Sequence, residues 1–302
     1  MQEIEPQYSN DDKTDNSGFL KRARRHQSKF RAEILNLPYE SYGNYLTSAD
    51  GETGKNFYED FGIFDSVRKY RKYNKPLYSN MLRSEHIPFN FFIPFNTNKI
   101  FCKSVFNVFL GGIIQTIDKI EIEFAPKPKE KYLNDGTSFD TYIEYTHTDN
   151  SKGILGIEVK YTEKEYKLVP YSKEEKDIND KNSKYYIVTE RCKIYKPETI
   201  NLLRTDKFRQ LWRNQLLGES ILLMDSQIFN HFTSITLFPK ENLHFVNTSK
   251  DYIDLLATNE NIFVPITYED FFSICSHNCP DRNYKAWLDY LTIRYIVPNE
   301  GE

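Results

Sequence analysis

The stretch from 137 to 163 constrains the fold most, because it predicts a β-hairpin with charged residues in it. Its first run, 139–146, alternates aromatic and polar residues and is rich in residues that favour strands. A polar segment with the composition of a turn follows. The second run, 154–161, is apolar until Glu158 and Lys160 interrupt it. Charges inside an otherwise apolar strand indicate a site rather than an ordinary solvent-facing strand.

Alternation along the two strands brings the charges together. Side chains two residues apart on a strand share a face. Asp140, Tyr142 and Glu144 therefore point to one side of the first strand. Glu158 and Lys160 point to one side of the second. Antiparallel pairing of the strands predicts that Asp140, Glu158 and Lys160 meet at one site.

These residue types suit phosphodiester hydrolysis. Two carboxylates that face one another repel unless a cation lies between them, and hard oxygen ligands suit Mg²⁺. A neighbouring lysine orients or deprotonates a water and stabilises charge on a phosphoryl group. Metal, activated water and phosphate together make a hydrolytic site. The alternative is a sheet with its charges in solvent, since charge pairs across strands are common.

The hairpin resembles the D…ExK signature of the PD-(D/E)XK phosphodiesterase superfamily, which includes many restriction endonucleases. Asp140 precedes the turn, and Glu158-Val159-Lys160 follows it. Phe139 precedes Asp140 in place of proline, a departure that many members of this divergent family share. The resemblance implies a restriction-endonuclease-like α/β core, a central mixed sheet flanked by helices, with N- and C-terminal helical embellishments. It implies that Asp140 and Glu158 bind Mg²⁺ or Mn²⁺ and that Lys160 serves the attacking water.

A segment upstream of the hairpin resembles a bacterial subgroup of restriction-type nucleases. Ser84 and Asn90-Phe91 match in outline a serine-containing motif that leads to an Asn-Phe pair. In many superfamily members an acidic residue on the first helix supplements the metal site. The resemblance therefore makes Glu85 a candidate third carboxylate. The alternative is an exposed glutamate favoured by the dipole at a helix start.

A strong helical pattern over 204–224 carries a second likeness to the subgroup. Gln210, Arg213 and Asn214 resemble the Q-x-x-R-N element on the helix that follows the catalytic strand. The resemblance implies that Gln210 and Arg213 position water or the substrate phosphate. Gln210 is thus a candidate catalytic residue, and Arg213 and Asn214 are candidate nucleic-acid contacts. The alternative is an ordinary polar helix surface.

Basic residues concentrate in the helical candidate 19–37. Net charge is only −3, so any surface that attracts nucleic acid must be local. Arg22, Arg24 and Arg25 lie near the start of this helix and are candidate contacts to phosphates. The alternative is a solvated helix face balanced by acidic neighbours.

Composition bounds the organisation of the chain. The polar segment 1–17 is predicted to be a mobile arm, and 18–302 a single nuclease-like domain with its core at about 81–246. No apolar run approaches the ~18 residues of a membrane span, and we expect a cytoplasmic protein without membrane partners. The four cysteines do not form a disulfide framework, and the pair at 275 and 279 lacks a second pair of zinc ligands.

The leading hypothesis is a Mg²⁺-dependent nuclease that acts on DNA. The family analogy also implies a homodimer, a protein partner, and a role in defence against foreign DNA. One alternative is a non-catalytic nucleic-acid-binding or assembly module that kept a nuclease fold. Another is a structural protein whose hairpin charges are incidental. The intact D…ExK set argues against the binding module, which has no need of all three groups, whereas a structural protein would bind no metal and show no effect of chelation.

Overall fold

A mixed five-stranded sheet forms the centre of the computed structural model, which describes residues 18–298. The strands lie side by side in chain order, β1 to β5. Their bounds are β1 Ile114–Phe124, β2 Phe139–His147, β3 Lys152–Val159, β4 His231–Phe238 and β5 Phe263–Thr267. β1, β2 and β3 pair antiparallel, whereas β4 and β5 join in parallel. The predicted arm 1–17 lies outside the described residues.

Helices cover both faces of this sheet, which confirms the expected restriction-endonuclease-like fold class. The α-helices are α1 Phe19–Lys29, α2 Ser48–Glu52, α3 Ile63–Tyr70, α4 Lys75–Ser79, α5 Ile87–Thr97, α6 Lys99–Leu110, α7 Lys173–Asn179, α8 Lys184–Cys192, α9 Ile200–Leu203, α10 Asp206–Met224, α11 Leu243–Ile253, α12 Tyr268–His277 and α13 Arg282–Tyr295. Within residues 18–298, no helix combines the length and the apolar character that a membrane span requires.

Two parts of the topology differ from the sequence-based expectation. A strand and a turn were expected over 231–246, but α11 already begins at Leu243. Its cap is Asn242, whose side chain accepts a hydrogen bond from the Phe245 N–H. β5 lies beyond residue 246, the predicted end of the core. The sequence did not predict this strand, because five residues that include a proline show too little periodicity.

Strand β3 is buried on both faces, and this determines where its charges lie. Leu155 and Ile157 pack in the apolar cluster that includes α5 and α6. Ile154 packs on the opposite face, in the cluster that includes Trp212 of α10. By alternation, Glu158 points to the α10 face, at the end of a strand with no solvent-facing side.

The terminal helices pack around the segment that carries Lys160. Gln27 of α1 donates to the Tyr161 hydroxyl at 3.0 Å and to the Arg294 carbonyl of α13 at 2.6 Å. The Tyr268 hydroxyl of α12 donates to the Lys160 carbonyl at 2.6 Å. These helices are the predicted N- and C-terminal embellishments, and they fix the backbone that follows β3.

A buried carboxyl on α10 predicts a pH-dependent stability. Burial raises the pKa of Glu219 from 4.5 to about 7, although Gln215 donates a hydrogen bond to it at 2.9 Å. Between these values the folded protein holds a proton that the unfolded chain has lost. The free energy of unfolding therefore falls by about 3 kcal/mol as the pH rises from 4.5 to 7.

We expect Glu219→Gln to remove this dependence and to raise the thermal midpoint at pH 8 more than at pH 5. Thermal denaturation at the two pH values measures the difference, with the exposed Glu130→Gln as the matched control. An equal loss of stability in wild type and Glu219→Gln between pH 5 and pH 8 would contradict the prediction.

Candidate active site

Three carboxylates, here called the carboxylate row, lie side by side across β1, β2 and β3. Thr141 pairs with Ile157 on β3 and with Ile122 on β1, so the next residue, Asp140, adjoins Glu158 and Glu123. Asp140, Glu158 and Lys160, which the sequence analysis expected at one site, all line the same cavity. This cavity, of about 290 Å³, borders the carboxylate row and is here called the small cleft.

Glu158 is held by three side-chain donors. Lys160 Nζ lies 2.6 Å from Glu158 Oε1, and Gln210 Nε2 donates to the same oxygen at 3.1 Å. Asn214 Nδ2 donates to Oε2 at 2.8 Å. Only 8% of Glu158 is exposed, so these contacts replace water around its charge. Both oxygens have a fixed direction as a result.

The electrostatics of the site show an excess of negative charge. Burial and the charge of Glu158 raise the pKa of Asp140 well above its ordinary value. The Lys160 charge and the Val159 N–H, which donates to Asp140 Oδ2 at 2.7 Å, lower that pKa by less. A row of carboxylates that cannot all ionise freely is what a divalent cation stabilises.

Lys160 is buried as a cation. Burial by itself lowers its pKa, but the charges of Glu158 and Asp140 outweigh that effect and raise it. The ring of Tyr166 lies over Nζ at 5.4 Å from the ring centroid. The ammonium is thus held against the carboxylate row at the floor of the small cleft, with 2% of the residue exposed.

Glu123 is a functional candidate that the sequence analysis missed. Strict alternation along β1 would put Glu123 on the same face as Lys119 and Glu121, but its φ of 58° breaks the strand geometry there. Its carboxylate pairs with Arg71 at 2.6 Å. Burial is the main cause of its raised pKa, and the charges of Glu85 and Glu158 add to it. Its place at the end of the strand before the hairpin is the signal that could have found it.

Glu85 lies in the same cleft but at its rim. It belongs to a short 3-10 turn, Ser84–His86, before α5. Its carboxylate pairs with Arg83 at 2.5 Å, and 38% of its side chain is exposed. Glu163 ties this turn to the end of β3, accepting hydrogen bonds from the N–H groups of Ser84 and Tyr161. Glu85 is therefore close to the carboxylate row but outside it.

The α10 residues expected at nucleic acid have partners inside the protein. Arg213 lies 3.1 Å from Asp135 and 3.0 Å from Glu174, and it donates to the Thr137 hydroxyl at 2.6 Å. It thereby anchors the loop that leads into β2. Asn214 is buried against Glu158, and its amide orients that carboxylate.

The basic helix α1 is also engaged with its surroundings. Arg22 pairs with Glu241 at 2.9 Å, and the buried Arg24 donates to Asn44 at 2.8 Å. Arg25 is exposed. Arg24 lines a cavity of about 770 Å³, here called the large cleft. The same residues, Ser84, Glu85 and Tyr166, border both clefts, so α1 faces a path to the carboxylate row.

The donor set fits a hard divalent cation. Asp140, Glu158 and Glu123 offer carboxylate oxygens, which suit Mg²⁺ and Mn²⁺. The buried Gln210 Oε1, on the same cleft, has no hydrogen-bond partner within residues 18–298. A carbonyl oxygen left without a donor is available to a cation or to a water beside it.

Comparison with known proteins agrees with this geometry. The family model described as the PD-(D/E)XK nuclease superfamily matches residues 11–297, nearly the whole chain. No curated protein and no solved structure matches the chain significantly. Members of that superfamily are generally hydrolytic nucleases that use divalent metals. The match and the D…ExK hairpin together show that the chain belongs to the PD-(D/E)XK nuclease superfamily.

Proposed function

We propose that this protein is a Mg²⁺-dependent endonuclease that hydrolyses phosphodiester bonds in DNA, and that one nuclease domain accounts for 18–302. The observation that carries the proposal is the carboxylate row with the Lys160 ammonium 2.6 Å from Glu158. A binding module or a structural protein gains nothing from burying this combination, since unpaired burial of charge is costly.

The carboxylate row would hold the metal. Asp140 and Glu158 supply the principal oxygens, and Glu123 adds a third from β1. When bound, the cation supplies the Lewis acidity that polarises a phosphate and favours a hydroxide nucleophile. Asn214 and Gln210 keep the Glu158 oxygens in place while the metal and substrate enter.

Lys160 has a role that follows from its charge state. Because the surrounding carboxylates keep it protonated, it acts as a fixed ammonium that orients the attacking water. The same charge stabilises the negative charge that develops on the phosphoryl oxygens. Gln210 Oε1 has no hydrogen-bond partner within the described residues and would accept a hydrogen bond from that water, while the proton that the water loses would pass to solvent.

The large cleft provides a path for the substrate. Arg24, Arg83 and Lys164 line it together with Tyr42 and Tyr45. Cations hold a phosphate backbone, and aromatic rings stack on bases of an unpaired strand. Arg25 is exposed on the helix that borders this cleft and would add a phosphate contact. A role in defence against foreign DNA rests on the family analogy.

Metal removal tests the proposal. We expect the wild-type protein to cut supercoiled plasmid in Mg²⁺ or Mn²⁺, to lose all cutting in EDTA, and to regain it with excess Mg²⁺. Agarose gels separate nicked from linear product, and linear DNA, single-stranded DNA and RNA are compared in parallel.

Each other outcome has a defined meaning. Cleavage of RNA alone would replace the substrate class in the proposal. Binding of DNA and of Mg²⁺ without cleavage of any substrate would favour the non-catalytic module. Cleavage that persists in EDTA would contradict the role of the carboxylate row.

A further inference from the structure

A second cluster of ligating side chains lies at the other end of the sheet from the carboxylate row. We call it the hairpin cluster: His147 at the end of β2, Asp149 in the turn, and His231 at the start of β4. Asp140 and His147 are seven positions apart on β2, which corresponds to roughly 23 Å at the rise of a strand. The two groups are therefore separate sites.

The three ligand atoms of the hairpin cluster converge. They all lie within 4.8 Å of one another. Nδ1 of His147 is 3.0 Å from Asp149 Oδ1, and Nε2 of His231 is 3.6 Å from Asp149 Oδ2. The two imidazole rings stack with centroids 4.3 Å apart and planes at 17°. Each oxygen of Asp149 thus faces a different imidazole nitrogen.

The imidazole nitrogens of the hairpin cluster also contact the turn itself. The backbone N–H of Asp149 donates to His147 Nδ1 at 3.2 Å, and the Ser151 hydroxyl lies 2.8 Å from His231 Nε2. The Ser151 N–H donates to Asp149 Oδ1 at 2.8 Å and so directs this carboxylate towards the cluster. A bound metal ion would replace both imidazole contacts, because each imidazole nitrogen has only one lone pair to offer.

The fold builds this arrangement from distant segments. Gly153 on β3 pairs with Tyr145 on one side and with His231 on the other. A Cβ at Gly153 would lie 2.2 Å from the Tyr145 ring, so only glycine lets that ring cross β3. Alternation puts His147 on the same face as Tyr145.

A second observation at this place also indicates a ligand. A cavity of about 410 Å³ is lined by His147, His231 and Tyr145. The Tyr145 hydroxyl is buried and has no hydrogen-bond partner among residues 18–298. A buried hydroxyl without a partner is costly, and a metal-bound water or anion in the cavity would satisfy it.

We propose that His147, Asp149 and His231 bind a Zn²⁺-class transition metal ion, separately from the Mg²⁺ that the carboxylate row would hold. Imidazole nitrogens select Zn²⁺, Co²⁺ or Ni²⁺ over Mg²⁺, which prefers oxygen. Tetrahedral coordination places ligand atoms roughly 3.3 Å apart. The Asp149 side chain is 55% exposed, and a small rotation of its carboxylate would close the remaining gap to His231 Nε2, which is 3.6 Å. The ion would crosslink the β2–β3 turn to the start of β4.

A Co²⁺ titration followed by visible absorption tests the site, because tetrahedral Co²⁺ absorbs far more strongly than six-coordinate Co²⁺. We expect strong bands in the wild-type protein, which Zn²⁺ displaces. His147→Ala and His231→Ala should weaken binding more than roughly 100-fold, since even losing a residue that supports a ligand costs 10–100-fold. The exposed His277→Ala is the matched control, and circular dichroism verifies folding.

A companion variant keeps this test independent of the nuclease site. The double variant Asp140→Asn, Glu158→Gln disrupts the carboxylate row, and it should keep the strong Co²⁺ absorption bands. The histidine variants should keep wild-type cleavage in Mg²⁺. The proposal would be overturned if the wild-type protein showed no strong Co²⁺ bands. It would also be overturned if the bands disappeared in the carboxylate-row variant but remained in the histidine variants.

Discussion

Replacing Lys160 with methionine is expected to lower the rate of DNA cleavage by roughly 10²–10³-fold, the usual cost of removing one fixed donor that stabilises developing charge. The side chain keeps its length, but the ammonium 2.6 Å from Glu158 disappears. Mg²⁺ binding should persist or tighten, because the variant removes a cation that competes for Glu158. Single-turnover cleavage and calorimetric Mg²⁺ titration measure the two effects separately.

Two variants control the Lys160 experiment. Asp140→Asn should lose cleavage and weaken Mg²⁺ binding together, because Asp140 belongs to the carboxylate row. Lys250→Met makes the same change at an exposed lysine on α11 and should leave both unaltered. Since losing one partner of a buried pair costs about 3–5 kcal/mol, thermal denaturation must show that the Lys160 variant is folded at the assay temperature. Wild-type cleavage by that variant would remove Lys160 from the mechanism.

Replacing Glu123 with glutamine is expected to weaken Mg²⁺ binding by roughly 10–100-fold and to reduce cleavage at low Mg²⁺. Glu123 adjoins Asp140 and is largely buried, so its charge adds directly to the field at the carboxylate row. Excess Mg²⁺ should restore much of the rate, because the glutamine keeps an oxygen in the same place. Cleavage rates across a Mg²⁺ titration give the result.

Glu85→Gln is the matched comparison for Glu123. Its carboxylate is at the rim, 38% exposed, and paired with Arg83, so solvent screens its charge. We expect a much smaller shift in the Mg²⁺ requirement. Arg71→Met distinguishes a metal role of Glu123 from a purely structural one, because it removes only the ion pair. An effect of Glu85→Gln that exceeds that of Glu123→Gln would assign the third carboxylate to Glu85, as the sequence-based resemblance suggested.

Much of the fold follows from local pattern. The alternation and turn chemistry of the hairpin predicted β2, β3 and their antiparallel pairing, and the apolar period of 204–224 predicted α10. Side chains alternate between the two faces of a sheet, so the register of one strand pair determines which face each of its side chains occupies. This is why the sequence alone could predict that Asp140, Glu158 and Lys160 come within reach of one site. The family match confirms the fold class that this hairpin indicated.

Other elements gave no local signal. β5 is short, and α11 begins directly after a turn that resembles the end of a strand. The cap by Asn242 decides that helix start, yet asparagine is equally common in turns. Elements of this kind are determined by packing against an existing sheet rather than by their own periodicity.

The sequence by itself determined the D…ExK hairpin, the helix behind it and the chemistry of its charges, because these depend on spacing within one or two elements. Only the tertiary structure decided which side chains meet across elements. It brought Glu123 to the row through a local break in β1, and it turned Asn214 onto Glu158. It also joined His147 to His231 across 84 positions of chain. Contacts of that kind depend on strand order and register, which no local pattern encodes.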